Sequence, residues 1–401
     1  MARLANEALA RAGLDEAVVV GEARRGIELV TQLSMIASST REAAVFARAL
    51  EHAVACERVA VSGADTVRMR FDGGGPAVLR VVPPEQRVEA LVRATGSAKH
   101  VRWLERLARP SGGLSAACAH GGDEEGLYAL LGTPFAPPEL REGPTPRVPP
   151  LVGAVGGIFH VHTSWSDGTG SIVDMARAAG DAGFAYLGIT EHSKAASYAG
   201  GLGPARLREQ AQAIGHARRE VPGITLLHGI EVDILADGTL DLDDATLASL
   251  DFVVASVHTD LDMPRRAMTA RVVRAVSHPL VTILGHPTGR LLLGREGYAL
   301  DVEAVASAAA ANDTFLEINA NPQRLDLGDA LVRRAAARGA RFAIDPDAHT
   351  PRGVHDTTLG LMVARRAGLA SSQVLNSRDA REVASYLAAR RRRATHALAI
   401  G

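Results

Sequence analysis

The sequence is poor in lysine: Lys99 and Lys194 are the only two, so nearly all of its 44 basic residues are arginine. In a chain this rich in alanine, that bias points to coding base composition rather than to function. Cysteine is as scarce. Cys56 and Cys118 are too few for a disulfide framework or a thiolate-ligated zinc site, which favours a reducing compartment. Long apolar runs are missing as well, and Met1-Ala-Arg-Leu-Ala-Asn-Glu7 carries no apolar stretch after its arginine. Neither a membrane span nor a secretory leader is expected, and the expected location is cytoplasmic. Nor does one sign of charge dominate. The 44 basic and 45 acidic residues leave a net charge of -1, so the whole molecule does not concentrate nucleic acid and a nucleic-acid substrate needs a local patch.

What is present suffices for two globular domains: 401 residues, 47% of them hydrophobic and 22% charged. Prolines at 134, 137, 138, 144, 146, 149 and 150 mark the seam, because they break helices and remove ladder donors. The expected division is a first domain over residues 1–143, a proline-rich linker over 144–154 and a second domain over 155–401. In the first, apolar runs at 14–20, 59–71 and 77–82 with helical patterns at 43–56 and 86–94 predict a small α+β fold. In the second, strands are expected at 157–162, 186–190, 225–231, 252–258, 282–286, 314–319 and 341–345. Helices are expected between most of them, at 171–182, 204–219, 264–277, 301–311 and 329–338. Strands separated by helices pair in parallel through right-handed crossovers, which predicts a closed or nearly closed α/β barrel.

Histidines and carboxylates fall where such a barrel makes its active face. His160 and His162 form a His-x-His pair ending the first strand, where alternation puts both on one face. Asp167 follows; His192 ends the second strand, Glu231 the third, His258 the fourth and His286 the fifth, and Asp347 and His349 follow the seventh. Strand C-terminal ends of a barrel converge, so these nine residues are expected in one place. Taken singly, each is as well explained as a half-buried side chain, a helix cap or an ion-pair partner. Imidazole and carboxylate without thiolate suit Zn, Mn or Fe, and nine donors exceed what one four- to six-coordinate ion uses. Two or three divalent ions are implied, with water acidified toward a pKa of about 7 and a clamp for phosphoester oxygens. Metal-assisted phosphoester hydrolysis is the chemistry this suggests. His228 shares a strand with Glu231 but faces the other way, which predicts a core or supporting role.

The motifs Phe159-His-Val-His-Thr-Ser-Trp-Ser-Asp-Gly168, Ile189-Thr-Glu-His-Ser193, Gly229-Ile-Glu-Val-Asp233, Ser256-Val-His258, Gly285-His-Pro-Thr-Gly-Arg290 and Asp345-Pro-Asp-Ala-His349 resemble the PHP (polymerase and histidinol phosphatase) superfamily. The likeness is greatest to the PHP domain of bacterial family X DNA polymerases and covers residues 155–395. It implies a distorted seven-stranded (β/α) barrel with up to three metal ions. His160, His162, Glu231 and Asp347 would hold the first; Glu231, bridging, with His258 and His286 the second; Asp167, His192 and His349 the third. Glu191 stands where relatives usually have Asp, which keeps the charge on a longer arm. Arg290, in a loop at the same face, is expected to fork onto a phosphate, with a structural ion pair as the competing role. Lys194 is a weaker candidate for the same contact.

The first domain resembles the palm and thumb of those polymerases, which have a nucleotidyltransferase fold, through Val20-Gly-Glu-Ala-Arg-Arg-Gly26, Thr95-Gly-Ser97 and Leu131-Gly-Thr-Pro-Phe-Ala-Pro-Pro-Glu-Leu-Arg-Glu142. The resemblance places catalytic aspartates where Gln32, Ser34 and Val78 stand, and Mg²⁺ for nucleotidyl transfer needs hard anionic oxygens. Glu22 replaces the serine of the phosphate-binding turn, and Arg93-Ala94 the aromatic pair before Thr95. About 20 residues precede the palm turn, which leaves no room for the lyase and helix-hairpin-helix elements of relatives; the domain is read as degenerate and truncated, with polymerase activity lost. Its 18 basic and 18 acidic residues in positions 1–150 favour a scaffold over DNA docking, although Arg24, Arg25 and Arg80 could cluster. Arg390 to Arg393 is expected to be a solvated helix face complementing the dipole. The expected activity is phosphodiester hydrolysis at DNA 3′ ends, 3′-5′ exonuclease-like and related to DNA repair. Two other readings compete with it: a small-molecule phosphomonoesterase like histidinol phosphatase, and a non-enzymatic DNA-binding scaffold.

Overall fold

The computed structural model describes residues 17–51, 56–71 and 74–400. The chain falls into two units that divide between Pro149 and Pro150. In the first, strands Ala17–Val20 (β1), Leu33–Ser38 (β2), Cys56–Ser62 (β3), Thr66–Phe71 (β4) and Pro76–Val82 (β5) form one sheet in the order β1-β2-β5-β4-β3. Only β2 and β5 run parallel. Alternation sends Met35, Ala37, Val67 and Leu79 to one face, under Phe46 and Leu50 of the helix Ala43–Glu51. Ile36 and Val82 go to the other, against Ala90 and Leu91 of the helix Arg87–Thr95. The expected helix over 43–56 stops at Glu51; residues 52–55 lie outside the described residues, and Cys56 instead opens β3, paired with Phe71 across a hairpin. Strand β2 and the helices Ala98–Leu107, Leu114–Gly121 and Glu124–Leu130 had no clear signal in the sequence.

Several arginines of this unit are paired with carboxylates within it. Arg24 pairs with Glu124 at 2.5 Å, Arg25 with Glu142 at 2.8 Å and Arg80 with Asp65 at 3.0 Å. The fully buried Arg141 also meets Glu124.

The second unit is a barrel of seven parallel strands in sequence order: Gly157–Ile158 (β6), Tyr186–His192 (β7), Thr225–Asp233 (β8), Val254–Ser256 (β9), Ile283–Leu284 (β10), Phe315–Asn319 (β11) and Arg341–Asp345 (β12). Between β6 and β12 the ring closes by a short bridge. Val161 pairs with Ala348, His162 N–H donates to Ala348 O at 2.9 Å, and Ala348 N–H to His160 O at 3.2 Å. The interior holds Phe159, Tyr186, Leu227, Phe252, Val254, Ile283, Phe315 and Ala343. Gly188 and Gly229 make room for Phe252, since a Cβ at either would lie 2.5 Å from its ring.

Val383 and Leu387, on the helix Ala380–Ile400, belong to the same apolar cluster. Here the first half of the basic run departs from expectation, while Arg392 and Arg393 are exposed as expected. Arg390 is buried and donates to Val281 O and Asp313 O, while Arg391 donates to Leu250 O. These carbonyls precede β9, β10 and β11, and the guanidiniums, joined at Val281 O by Thr314 Oγ1 at 3.1 Å, satisfy them. Among the described residues, no helix is long and apolar enough to cross a membrane.

Candidate metal centre

All nine histidine and carboxylate positions lie at the C-terminal ends of the barrel strands or just beyond them. Glu231, fully buried on β8, is the hub. His160 Nε2 lies 3.4 Å from its carboxylate, His162 Nε2 3.6 Å, His192 Nδ1 2.9 Å, His258 Nε2 3.3 Å and His286 Nε2 3.0 Å. Asp347 Oδ1 faces His160 at 3.5 Å and His162 at 3.3 Å. Asp167 faces His192 and His349, each at 3.5 Å. Closure of the ring brings this about, because the bridged segments carry His160 and His162 on one side and Asp347 and His349 on the other.

A divalent ion fits these gaps better than hydrogen bonds do. Most facing donors are 3.3–3.6 Å apart, longer than the 2.7–3.2 Å of an N–H···O bond. Four ligands at about 2.1 Å around one ion are separated by roughly 3.4 Å along a tetrahedral edge. His160 Nε2 and both ring nitrogens of His162 are buried without a hydrogen bond. Three groups meet the geometry for one ion each: His162, Asp167, His192 and His349; His160, His162 and Asp347; His192, Glu231 and His258. His192 thus stands between Asp167 and Glu231.

The surrounding shell aims the donors. Glu317 Oε1 takes the Nδ1 side of His160 at 2.6 Å and Asp233 Oδ1 that of His258 at 3.0 Å, which leaves each Nε2 lone pair pointing at the cluster. Glu317 Oε2 accepts from the backbone N–H of His286, and Asn319 donates both to Glu317 at 3.0 Å and to Asp347 at 3.1 Å. His286 and Asp347 both have positive φ, 23° and 49°, a conformation seldom held by non-glycine residues unless the surroundings impose it.

Electrostatics follow from the crowding. Burial would raise the Glu231 carboxyl, but His160, His192 and His258 outweigh it and hold it well below the usual carboxylate range. Burial would likewise keep the imidazoles neutral, yet Glu231 and Asp167 lift His192 to about 10, and Glu231 and Asp233 lift His258 to about 9. His162, desolvated and beside His192, falls to about 3.

Several positions fall elsewhere than the sequence suggested or were not legible in it. The Arg290 guanidinium donates to Arg324 O at 2.9 Å and to Leu325 O, whereas Arg324 itself reaches Asp347 at 3.4 Å. Lys194 is exposed. Glu191 is buried and gathers Thr163 Oγ1 at 2.5 Å, Ser166 Oγ and Gln210 Nε2 at 3.0 Å, so it holds the loop that carries Asp167. His228 bonds the other end of Gln210 at 3.1 Å, which places it behind that loop. Glu317, Asn319, Asp233 and Arg324 were missed. The one signal for Glu317 is a carboxylate between apolar residues of a buried strand, where it must have a partner.

A PHP domain is matched over residues 159–321. The DNA polymerase/3'-5' exonuclease PolX of Bacillus subtilis is 33% identical over 387 residues, 92% of this chain and 68% of its own length. A probable phosphatase of Thermoanaerobacter sp. is 30% identical over 184 residues, 43% of this chain and 72% of its own. A solved histidinol phosphate phosphatase from Lactococcus lactis aligns with 53% of this chain and 94% of its own, at 14% identity and a TM-score of 0.38. The donor cluster and this kinship make the protein a metal-dependent hydrolase of phosphoesters. The chain belongs to the PHP superfamily, in the family of bacterial PolX proteins.

Proposed function

We propose that the barrel hydrolyses phosphodiesters at DNA 3′ ends, as a 3′-5′ exonuclease of DNA repair, and that the first unit no longer polymerises. The observation that carries this reading is the contrast between a complete donor set around Glu231 and the carboxylate-free positions Gln32, Ser34 and Val78. The likeness to the DNA polymerase/3'-5' exonuclease PolX of Bacillus subtilis over 92% of the chain supports it.

His160, His162, Glu231 and Asp347 would hold one ion, Glu231 with His258 and His286 a second, and Asp167, His192 and His349 a third; Zn, Mn and Fe all suit these donors. Bound divalent ions supply the Lewis acidity that activates water and neutralises charge on phosphoryl oxygens. The chain's own residues do the positioning. Arg324 faces a cavity of about 430 Å³ lined by Asn321, Gln323, Asp347, His349 and Thr350, and there it orients the scissile phosphate. Arg290 acts one step back, by bracing the backbone on which Arg324 stands. Water adds to phosphorus, the bond to the 3′ oxygen of the preceding nucleotide breaks, and that oxygen leaves with a proton, which releases a nucleoside 5′-monophosphate. Internal pairing of Arg24, Arg25 and Arg80 supports a scaffold role for the first unit.

Kinship to probable phosphatases favours a second reading, hydrolysis of small monoesters at the same centre. Metal-loaded protein is offered a 3′-labelled strand and a small monoester in parallel. Released mononucleotides are expected; phosphate from the monoester with an intact strand selects the second reading, and neither product overturns both.

A further inference from the structure

One large aromatic side chain at the rim of the metal centre is unexplained by the hydrolytic machinery. Tyr198 is 74% exposed, although it follows β7 by only a few residues and its ring lies 6.4 Å from that of His192, tilted at 50°. It stands on a short 3-10 turn, Ser197–Ala199, whose flanking alanines Ala196 and Ala199 are buried. The turn is pinned at both feet. Ser193 Oγ and Ala195 N–H donate to Asp241 at 2.7 and 2.8 Å, and Leu202 N–H donates to His192 O at 2.7 Å. Gly200, at φ 71°, reverses the chain, and Arg206 clamps it by donating to Gly200 O at 2.7 Å and Trp165 O at 2.6 Å. A rigid turn that holds an apolar ring in water has no packing purpose.

We propose that Tyr198 is the stacking platform for the nucleobase of the nucleotide whose phosphate the metal centre engages, and that it sets specificity for nucleotides over base-free phosphoesters. The inference rests on the phosphoester reading of this site and names its substrate class. A nucleotide separates phosphate from base by one sugar, the scale of the step from His192 to Tyr198. Every base offers a π-face, so the platform is tolerant of sequence, as removal of successive terminal nucleotides requires.

Binding separates this proposal from the hydrolytic one. Affinities of dAMP and of 2-deoxyribose 5-phosphate, which lacks the base, are measured by calorimetry on the Mn²⁺-loaded full chain and its Tyr198→Ala, Tyr198→Phe and Tyr198→Trp variants. The unaltered chain is expected to prefer dAMP by roughly 5- to 150-fold, the size of one base–aromatic stack. Tyr198→Ala is expected to weaken dAMP alone, while the Phe and Trp variants keep the preference. Equal affinity for the two ligands in the unaltered chain, including no binding of either, overturns the platform, as does an equal loss for both in Tyr198→Ala. Strand cleavage is read separately: base preference without cleavage sinks the exonuclease reading and leaves the platform standing, and cleavage without base preference does the reverse.

Discussion

In the N-terminal sheet Ser34 lies beside Val78 across the parallel pair β2–β5, and in the barrel His192 lies beside Glu231 across the parallel pair β7–β8. The backbone juxtaposition is the same. One pair brings together a hydroxyl and an isopropyl group, the other an imidazole and a carboxylate 2.9 Å apart. Parallel strands place side chains next to each other whatever they are, and only the side-chain chemistry makes a site of the position. Of these two parallel pairs, only the one in the barrel carries the charged groups that a phosphoryl site needs.

The largest expected effect comes from removing the hub. Glu231→Gln is expected to lower hydrolysis more than about a hundredfold, beyond the 10–100-fold usual for outer-shell changes, and more than any single histidine replacement. Turnover and metal content across the nine-residue panel check this, and equal losses throughout would take Glu231 out of the bridging role. Next comes Glu317→Gln, which disturbs His160 and the His286 backbone together. Metal titration is expected to show affinity weaker by roughly 10–100-fold; an unchanged isotherm means that the imidazoles hold themselves in place. A smaller effect separates the units by stability. Metal at 100 times its dissociation constant is expected to stabilise the barrel by about 2.7 kcal/mol and the N-terminal unit not at all. Hydrogen exchange resolved by unit reads this, and protection gained in the β1–β5 sheet would end the contrast. The smallest effect is expected at Ser34→Ala, with hydrolysis unchanged and stability within about 0.5 kcal/mol. Primer extension by the unaltered chain, given Mg²⁺ and nucleoside triphosphates, would break the contrast outright.

The barrel and its charged rim were legible because two periodicities coincide: apolar runs spaced by helices give the strands, and one histidine or carboxylate closes nearly every run. The runs overstate the ladders, however. β6, β9 and β10 hold only two or three paired residues, since the chain leaves the sheet to turn its last donors inward, as the positive φ of His286 records. Glu317 was hidden by its neighbours Leu316 and Ile318, which read as plain core. Arg290 and Arg324 are alike in sequence, and only tertiary placement shows which of them reaches Asp347. Arg390 carries the same charge as a solvated arginine, so nothing local reveals that it serves a buried carbonyl 109 residues away. In the first unit, β2 was missed because the polar residues at 32 and 34 interrupt the run that its buried partners Met35 and Ile36 continue.

The Val161–Ala348 bridge joins segments that leave the ribosome far apart in time. A ribosome delivers the chain from its N-terminus at about 5–20 residues per second, and His160 and His162 emerge long before Asp347 and His349. Until the last strand arrives, the early histidines face an open edge and no complete donor group exists around them. Two of the three donor groups are thus completed only late in synthesis, and a chain halted between residues 287 and 346 carries seven of the nine ligands but neither of those groups.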